Sequence, residues 1–133
     1  MPALTTITIN DGKTTPEAHA FEPAKIDAND VAWFVETDGV AVRDNSLSVS
    51  LKKNGTVNRV RVALRMPVVV TETINGVDND KVIREARASV DFIFAANSTV
   101  AERKDVRKLI ANAILDDSFM DEVIVDGKYP YGG

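Results

Sequence analysis

The chain has no cysteine and one histidine among its 133 residues. Without cysteine there is no disulfide, no thiolate metal site and no thiol nucleophile. His19 has no second histidine to pair with, which argues against a histidine metal site or a Ser–His relay. Long hydrophobic runs are also missing. Runs such as Val68 to Val70 and Phe92 to Ala96 fall far short of the roughly 20 residues of a membrane helix. The N-terminus lacks a basic start followed by an apolar stretch, so neither a signal peptide nor a membrane span is expected. No nucleophile, base and pocket can be assembled into an enzyme site. Asp116, Asp117, Asp121 and Glu122 sit at expected helix starts, where carboxylates favour the dipole, and Asn75 to Asp80 lacks calcium-loop spacing; no metal and no cofactor are expected.

Acid is missing from one stretch. The whole chain carries a formal charge of −4, which by itself argues against nucleic acid as a partner. Residues 46–71 nevertheless contain five bases, Lys52, Lys53, Arg59, Arg61 and Arg65, and no acid. Acids outnumber bases by eight to three before this segment and by twelve to eight after it. What the basic segment does depends on where its side chains point.

Of the seven glycines, five follow Asp or Asn, at Gly12, Gly39, Gly55, Gly76 and Gly127, in the dipeptides of tight hairpin turns. Strand-like segments lie between them: Leu4 to Ile9, Ala18 to Glu22, Val31 to Val35, Val40 to Arg43, Leu47 to Lys52 and Val57 to Val70. Pro67 marks a bend or an edge in the last of these. Residues 71–80 read as an exposed polar loop before a final strand, Lys81 to Ala95. The period then changes to 3.6. Thr99-Val-Ala-Glu102 fits a capping box, and Val106, Leu109, Ile110, Ala113 and Ile114 recur on one helical face. Asp116-Asp-Ser118 interrupts that helix, Ser118 starts a short second one, and Gly127 ends it. The expected class is α+β in one domain, 1–133: strands over 1–95, two helices over 98–126, and a tail over 127–133 that either frays or anchors a contact.

Alternation along strands assigns side chains to faces. Leu47, Val49 and Leu51 share one face with Val60, Val62, Leu64, Met66, Val90, Phe92 and Phe94. The other face gathers Ser48, Ser50, Lys52, Arg59, Arg61, Ala63 and Arg65 with Arg87, Ser89, Asp91 and Ile93. Two readings fit this second face. It is an ordinary solvated side of an antiparallel sheet, or a surface whose hydroxyls and guanidinium groups meet phosphates and base edges of single-stranded or looped RNA. Trp33 and Phe34 adjoin, so one enters the core and the other points to the opposite side. Two helices of roughly 25 residues are few to cover a five-stranded sheet, a shortfall commonly met by a two-fold partner. An obligate dimer is expected.

The order of elements and four stretches resemble the coat proteins of single-stranded RNA bacteriophages of the levivirus type. The stretches are Asn29-Asp-Val-Ala-Trp-Phe-Val35, Leu47-Ser-Val-Ser-Leu-Lys-Lys53, Arg59-Val-Arg-Val-Ala-Leu-Arg-Met-Pro67 and Ala88 to Arg103. The most telling is the final strand, which ends in Asn97-Ser98-Thr99 and runs straight into a helix. The resemblance covers nearly the whole chain. It implies an N-terminal β-hairpin, a five-stranded antiparallel sheet and two C-terminal helices. Two subunits would interlock, each one's helices over the other's sheet, into a dimer with one ten-stranded sheet. Val106, Leu109, Ile110, Ala113 and Ile114 would then meet Phe92 and Phe94 at the dimer interface.

The resemblance further implies an icosahedral, T=3-like shell with the sheet facing inward. The loop between the last two strands, here Glu72, Thr73, Ile74, Asn75, Gly76, Val77, Asp78 and Asn79, would group around the symmetry axes, held by noncovalent contacts. A hairpin of the genomic RNA is the family's operator, bound for translational repression and packaging. Ser48, Ser50 and Lys52 match the strand lining its adenine pocket, Arg59, Arg61 and Arg65 the basic strand beside it, and Arg87, Ser89 and Asp91 the final-strand positions at the RNA loop. Arg87 stands where relatives often place a stacking aromatic, and Ala63 where some place a basic pocket residue. The implied partners are a second copy and genomic RNA, with no membrane, in a virion assembled in the host cytoplasm. The alternative is a dimeric RNA-binding regulator that forms no shell.

Overall fold

The computed structural model describes residues 4–37 and 44–131. Its strands are β1 (Ile7–Asn10), β2 (Ala18–Ile26), β3 (Ala32–Glu36), β4 (Asn45–Lys53), β5 (Val57–Ile74) and β6 (Val77–Ala95), and its helices α1 (Val100–Ile114) and α2 (Phe119–Ile124). The strands pair in chain order into one antiparallel meander. The expected α+β architecture holds, with six strands in the sheet where five were expected. The turn at Asp38-Gly39 and the strand over Val40 to Arg43 lie outside the described residues.

The N-terminal hairpin is joined to the sheet. β2 runs past its expected end at Glu22 and pairs with β3 as well as with β1. Pro23 has no N–H to give the ladder, and a register shift between Pro23 and Lys25 absorbs the irregularity. Asp27 builds the turn into β3. Its carboxylate accepts from the backbone N–H groups of Asn29 at 2.9 Å and Val31 at 3.1 Å, and from Trp33 Nε1 at 2.9 Å, an Asx-type turn.

The register bears out the division of faces. Leu47 lies opposite Leu64, Val49 opposite Val62 and Leu51 opposite Val60, and Val60 and Val62 continue to Phe92 and Val90. The core these residues build is small. Among the described residues only Phe21, Phe34 and Leu47 are buried, with Ile7, Ala32, Val49, Val62 and Leu64 packed against them.

Residues 71–80 are not the loop expected from their polarity. They continue the β5–β6 ladder, with Thr71 opposite Asp80, Glu72 opposite Asn79, Thr73 opposite Asp78 and Ile74 opposite Val77. Only Asn75 and Gly76 turn, both at positive φ (52° and 79°), as a type I′ hairpin requires. Branched residues at 71, 73, 74 and 77 favour strand, and the Thr71 and Thr73 hydroxyls donate across it to Asp80 and Asp78, each at 2.7 Å. β4 pairs no further along β5 than Arg65. Beyond it β5 and β6 project as a two-stranded ribbon, and Pro67 sits where β5 has β6 alone beside it.

The helices start as their capping residues dictate. Thr99 Oγ1 accepts from the Glu102 N–H at 3.2 Å, and the Glu102 carboxylate accepts from the Thr99 N–H at 3.3 Å. The Arg103 guanidinium donates to the Ser98 carbonyl at 2.6 Å and fastens α1 to the turn that follows β6. At α2 Ser118 holds the N-cap position as expected but makes no side-chain cap bond, and Asp116 supplies it. Its carboxylate accepts from the Met120 N–H at 3.1 Å and from Ser118 Oγ at 3.0 Å, and these bonds, Met120's first, hold it below the usual carboxylate range.

His19 clamps the sheet's N-terminal edge. Its Nε2 lies 2.9 Å from Asp11 and its Nδ1 2.8 Å from Glu36, which also accepts from Asn45 Nδ2 at 2.8 Å. Ionised carboxylates only accept, so both ring nitrogens must donate and the ring is held as the imidazolium. Asp11, Glu17 and His19 gather closely enough to resemble a metal-ligand set, but both ring nitrogens are already engaged. The bonds to Asp11 and then Glu36 raise the His19 pKa above its ordinary value. The clamp is therefore complete below about pH 6.5 and lost as pH rises through the elevated folded-state value. The melting temperature should fall over that rise, and His19→Gln should flatten the profile. The lone imidazole makes the titration a one-resonance NMR measurement; a midpoint at or below the ordinary value would refute the clamp.

Candidate nucleic-acid interface

The charged face is laid out in rows across the strands. Trp33, Ser48, Ala63 and Ser89 form one row over β3 to β6. On one side of it Ser50, Arg61 and Asp91 form the next; on the other lie Val35, Ser46, Arg65 and Arg87. A last row holds Lys52, Arg59 and Ile93. The register thus brings Ser48, Ser50, Lys52, Arg59, Arg61, Arg65, Arg87, Ser89 and Asp91 onto one surface. Two open concavities of about 390 and 540 Å³ lie on it, with Trp33, Ser48, Arg61 and Ala63 common to both.

The acid missing from residues 46–71 is supplied by β6. Arg65 Nε donates to the Glu85 carboxylate at 2.7 Å and Arg87 pairs with the same group, while Arg61 lies 4.0 Å from Asp91. The Arg65 hydrogen bond, against the opposing effect of burial and with help from Arg87, holds the Glu85 carboxyl below the usual range. Lys52 and Arg59 have no acidic partner among the described residues. The surface keeps a surplus of cations with its arginines partly oriented. Glu85 was legible from its parity with Arg87 and Asp91. Lys25, whose Nζ lies 6.0 Å from the Trp33 ring centroid, was hidden by the early end assigned to β2.

The opposite face is apolar and open. Val60, Val62, Phe92 and Phe94 line a cavity of about 390 Å³ whose helical side is Val100, Arg103, Lys104 and Arg107. The Phe92 and Phe94 rings stack at 5.9 Å. The apolar stripe of α1 lies elsewhere: no residue of the helix is buried, and Leu109 is 70% exposed. Within one chain, then, Val106, Leu109, Ile110, Ala113 and Ile114 are not brought onto Phe92 and Phe94. The chain exposes 10267 Å², whereas a compact monomer of 14.5 kDa exposes about 6,900 Å².

A sheet charged on one side and apolar on the other, with helices that leave it uncovered, is the framework of a subunit built to associate. The chain belongs to the levivirus coat protein family, whose model matches residues 2–131. Over 116 residues it is 34% identical to the capsid protein of Pseudomonas phage PRR1, covering 86% of this chain and 87% of that one. Its fold is similar to the virus-like particle subunit of bacteriophage ESE058, with a TM-score of 0.86 at 25% identity over 98% of this chain and all of the other. It is also similar to that of Beihai levi-like virus 21, with a TM-score of 0.83 at 28% identity over 98% and 100% of the two chains.

The uncovered apolar surface has a thermodynamic signature. Because association removes it from water, the unfolding midpoint should rise with protein concentration. Leu109→Asp should lower the midpoint and abolish that dependence; a midpoint independent of concentration in the unaltered protein would show that the chain is stable alone.

Proposed function

We propose that this chain is the major capsid subunit of an RNA phage, a dimer that closes into an icosahedral, T=3-like shell around genomic RNA and binds an RNA hairpin operator as translational repressor. The observation that carries the reading is the surplus of roughly 3,400 Å² over a compact monomer. Such an area is on the scale of obligate interfaces. β6 supports the same geometry. Among the described residues it is an edge strand of 19 residues paired only with β5, and long open edges invite another strand. Two copies joined along β6 place their six-stranded sheets in one continuous sheet of twelve, whose central ten strands are β2 to β6 of each copy. The helices of each then cross to the other's Phe92 and Phe94. The whole chain acts in this reading as one coat domain, with its place in the virion after assembly in the host cytoplasm.

The charged face takes RNA in this arrangement. Ser48, Ser50, Ser89 and Asp91 offer hydrogen bonds to bases and riboses, and Lys52, Arg59, Arg61, Arg65 and Arg87 meet phosphates. The ribbon from Glu72 to Asn79 makes contacts between dimers. An isolated two-stranded ribbon is only marginally stable, and its exposed Val68, Val70, Ile74 and Val77 gain cover from neighbours at the shell axes.

Three measurements bear on these assignments. Size-exclusion chromatography with electron microscopy should show round, nucleic-acid-rich particles, and removal of residues 72–79 with a new Asn-Gly turn should leave dimers without uniform shells. A full-length protein that remains a dimer with RNA present would instead support a regulator. Arg61→Ala should weaken single-strand RNA binding and reduce the salt slope by about 0.7 per lost phosphate contact; an unchanged slope removes Arg61 from the interface. Glu85→Gln, which frees Arg65 and Arg87, should tighten binding a few-fold and steepen its salt dependence, and weaker binding would mean that the pairing is needed to aim the arginines.

A further inference from the structure

We propose that the basic first turns of α1 receive the acidic corner between α1 and α2 of a second copy, the two α1 helices running antiparallel, so that charge sets the register of the dimer at both ends. This rests on the dimer reading above and goes beyond it by naming the segments that meet. The bases of α1 come early: Arg103, Lys104, Arg107 and Lys108, among the acids Glu102 and Asp105, with no base in the last turn. A helix dipole favours the reverse order, so the pattern is not explained by the helix that carries it. Around and beyond the end of α1, residues 115–126 hold five acids, Asp116, Asp117, Asp121, Glu122 and Asp126, and no base.

The two sets do not meet within one chain. The helical rise from Arg103 to Ile114 alone is about 17 Å. Arg103 donates to the neutral oxygens of Ser98, and among the described residues Lys104, Arg107 and Lys108 have no acidic partner. Asp116 is engaged at the start of α2 and Glu122 lies 3.8 Å from Lys128, but Asp117, Asp121 and Asp126 have no cationic partner among the described residues. A two-fold axis matches each patch with its complement on the other copy, twice. Antiparallel α1 helices bring the basic start of each beside the acidic end of the other. The apolar groups fit the same plan. Arg103, Lys104 and Arg107 rim the cavity over Val60, Val62, Phe92 and Phe94, an apolar floor with a cationic edge. Leu115 and Phe119 stand among the acids, 74% and 53% exposed in their own chain, and no residue of α2 is buried. A segment at once apolar and acidic is the complement of that cavity, and opposite charges at its rim steer the encounter and penalise a shifted register.

Lys104, Arg107, Asp117 and Asp121 are exposed, so reversing them leaves the packing within each subunit intact. Lys104→Glu with Arg107→Glu makes both ends of the pairing acidic, and Asp117→Lys with Asp121→Lys makes both basic. The full-length proteins, freed of RNA, are refolded from denaturant at low salt and followed by the concentration dependence of unfolding and by native mass spectrometry. Each reversal alone should weaken the dimer about tenfold, and all of these substitutions in one chain should restore it, because the charges are then exchanged and still complementary. Refolded together, the two reversed proteins should form heterodimers well above the statistical proportion, and salt should erase the excess. A reversal that refolds only with its complement supports the pairing as well. Statistical mixing at low salt, or a combined variant that dimerises no better than either reversal, would overturn the pairing while the dimer stands. Unfolding of the unaltered protein that ignores concentration would overturn the dimer and the pairing together.

Discussion

The structure turns on an apolar sheet face that its own helices do not cover. The helix that should shield it leaves the end of β6 with its apolar stripe directed elsewhere, and only its first two turns approach the sheet, through Val100 and the arginine and lysine side chains at 103, 104 and 107. Three buried residues among those described are a thin core for a chain of this length. Hydrophobic burial is the main term opposing conformational entropy, so such a subunit completes its core by association. In the arrangement proposed above, a second copy fills this role.

The same alternation that concentrates valine, leucine and phenylalanine on one side concentrates serine and arginine on the other. The consequence is a division of labour through a single sheet thickness. One surface is available for packing and the other for charge, and neither can be altered by shifting register without destroying both. β6 contributes to each: Phe92 and Phe94 face the apolar side, while Glu85 and Asp91 temper and orient the arginines of the charged side. An acidic protein thereby carries a local cationic surface suited to a polyanion, which net charge alone does not reveal.

The sheet is finished differently at its two ends. At the N-terminal edge the Asp11–His19–Glu36–Asn45 chain of hydrogen bonds crosses from the first turn to β4 and fixes the hairpin in place. At the other end β5 and β6 outrun β4 and leave a ribbon stabilised by its ladder, two Thr–Asp bonds and an Asn-Gly turn. One end is consolidated within the chain; the other offers its branched apolar residues to whatever lies beside it.

Strand alternation, the Asn-Gly turns at 54 and 75 and the Thr99 capping box are local properties, and the sequence by itself determined them: the two faces, the hairpins and the start of α1 follow from neighbouring residues alone. So did the basic face, because parity places Ser48, Ser50, Arg59, Arg61 and Arg65 together whatever the rest of the chain does. The ribbon at 71–80 was also written locally, in its β-branched residues and turn, but its polarity masked the signal. What tertiary structure decided required contacts between distant segments. Pairing of β2 with β3 past Pro23 joined the hairpin to the sheet, and pairing of β5 with β6 placed Glu85 between Arg65 and Arg87. Trp33 was assigned to the charged side by its alignment with Ser48. The two carboxylates around His19 come from positions 11 and 36, and no spacing rule links them; only the folded sheet sets them on opposite sides of one ring.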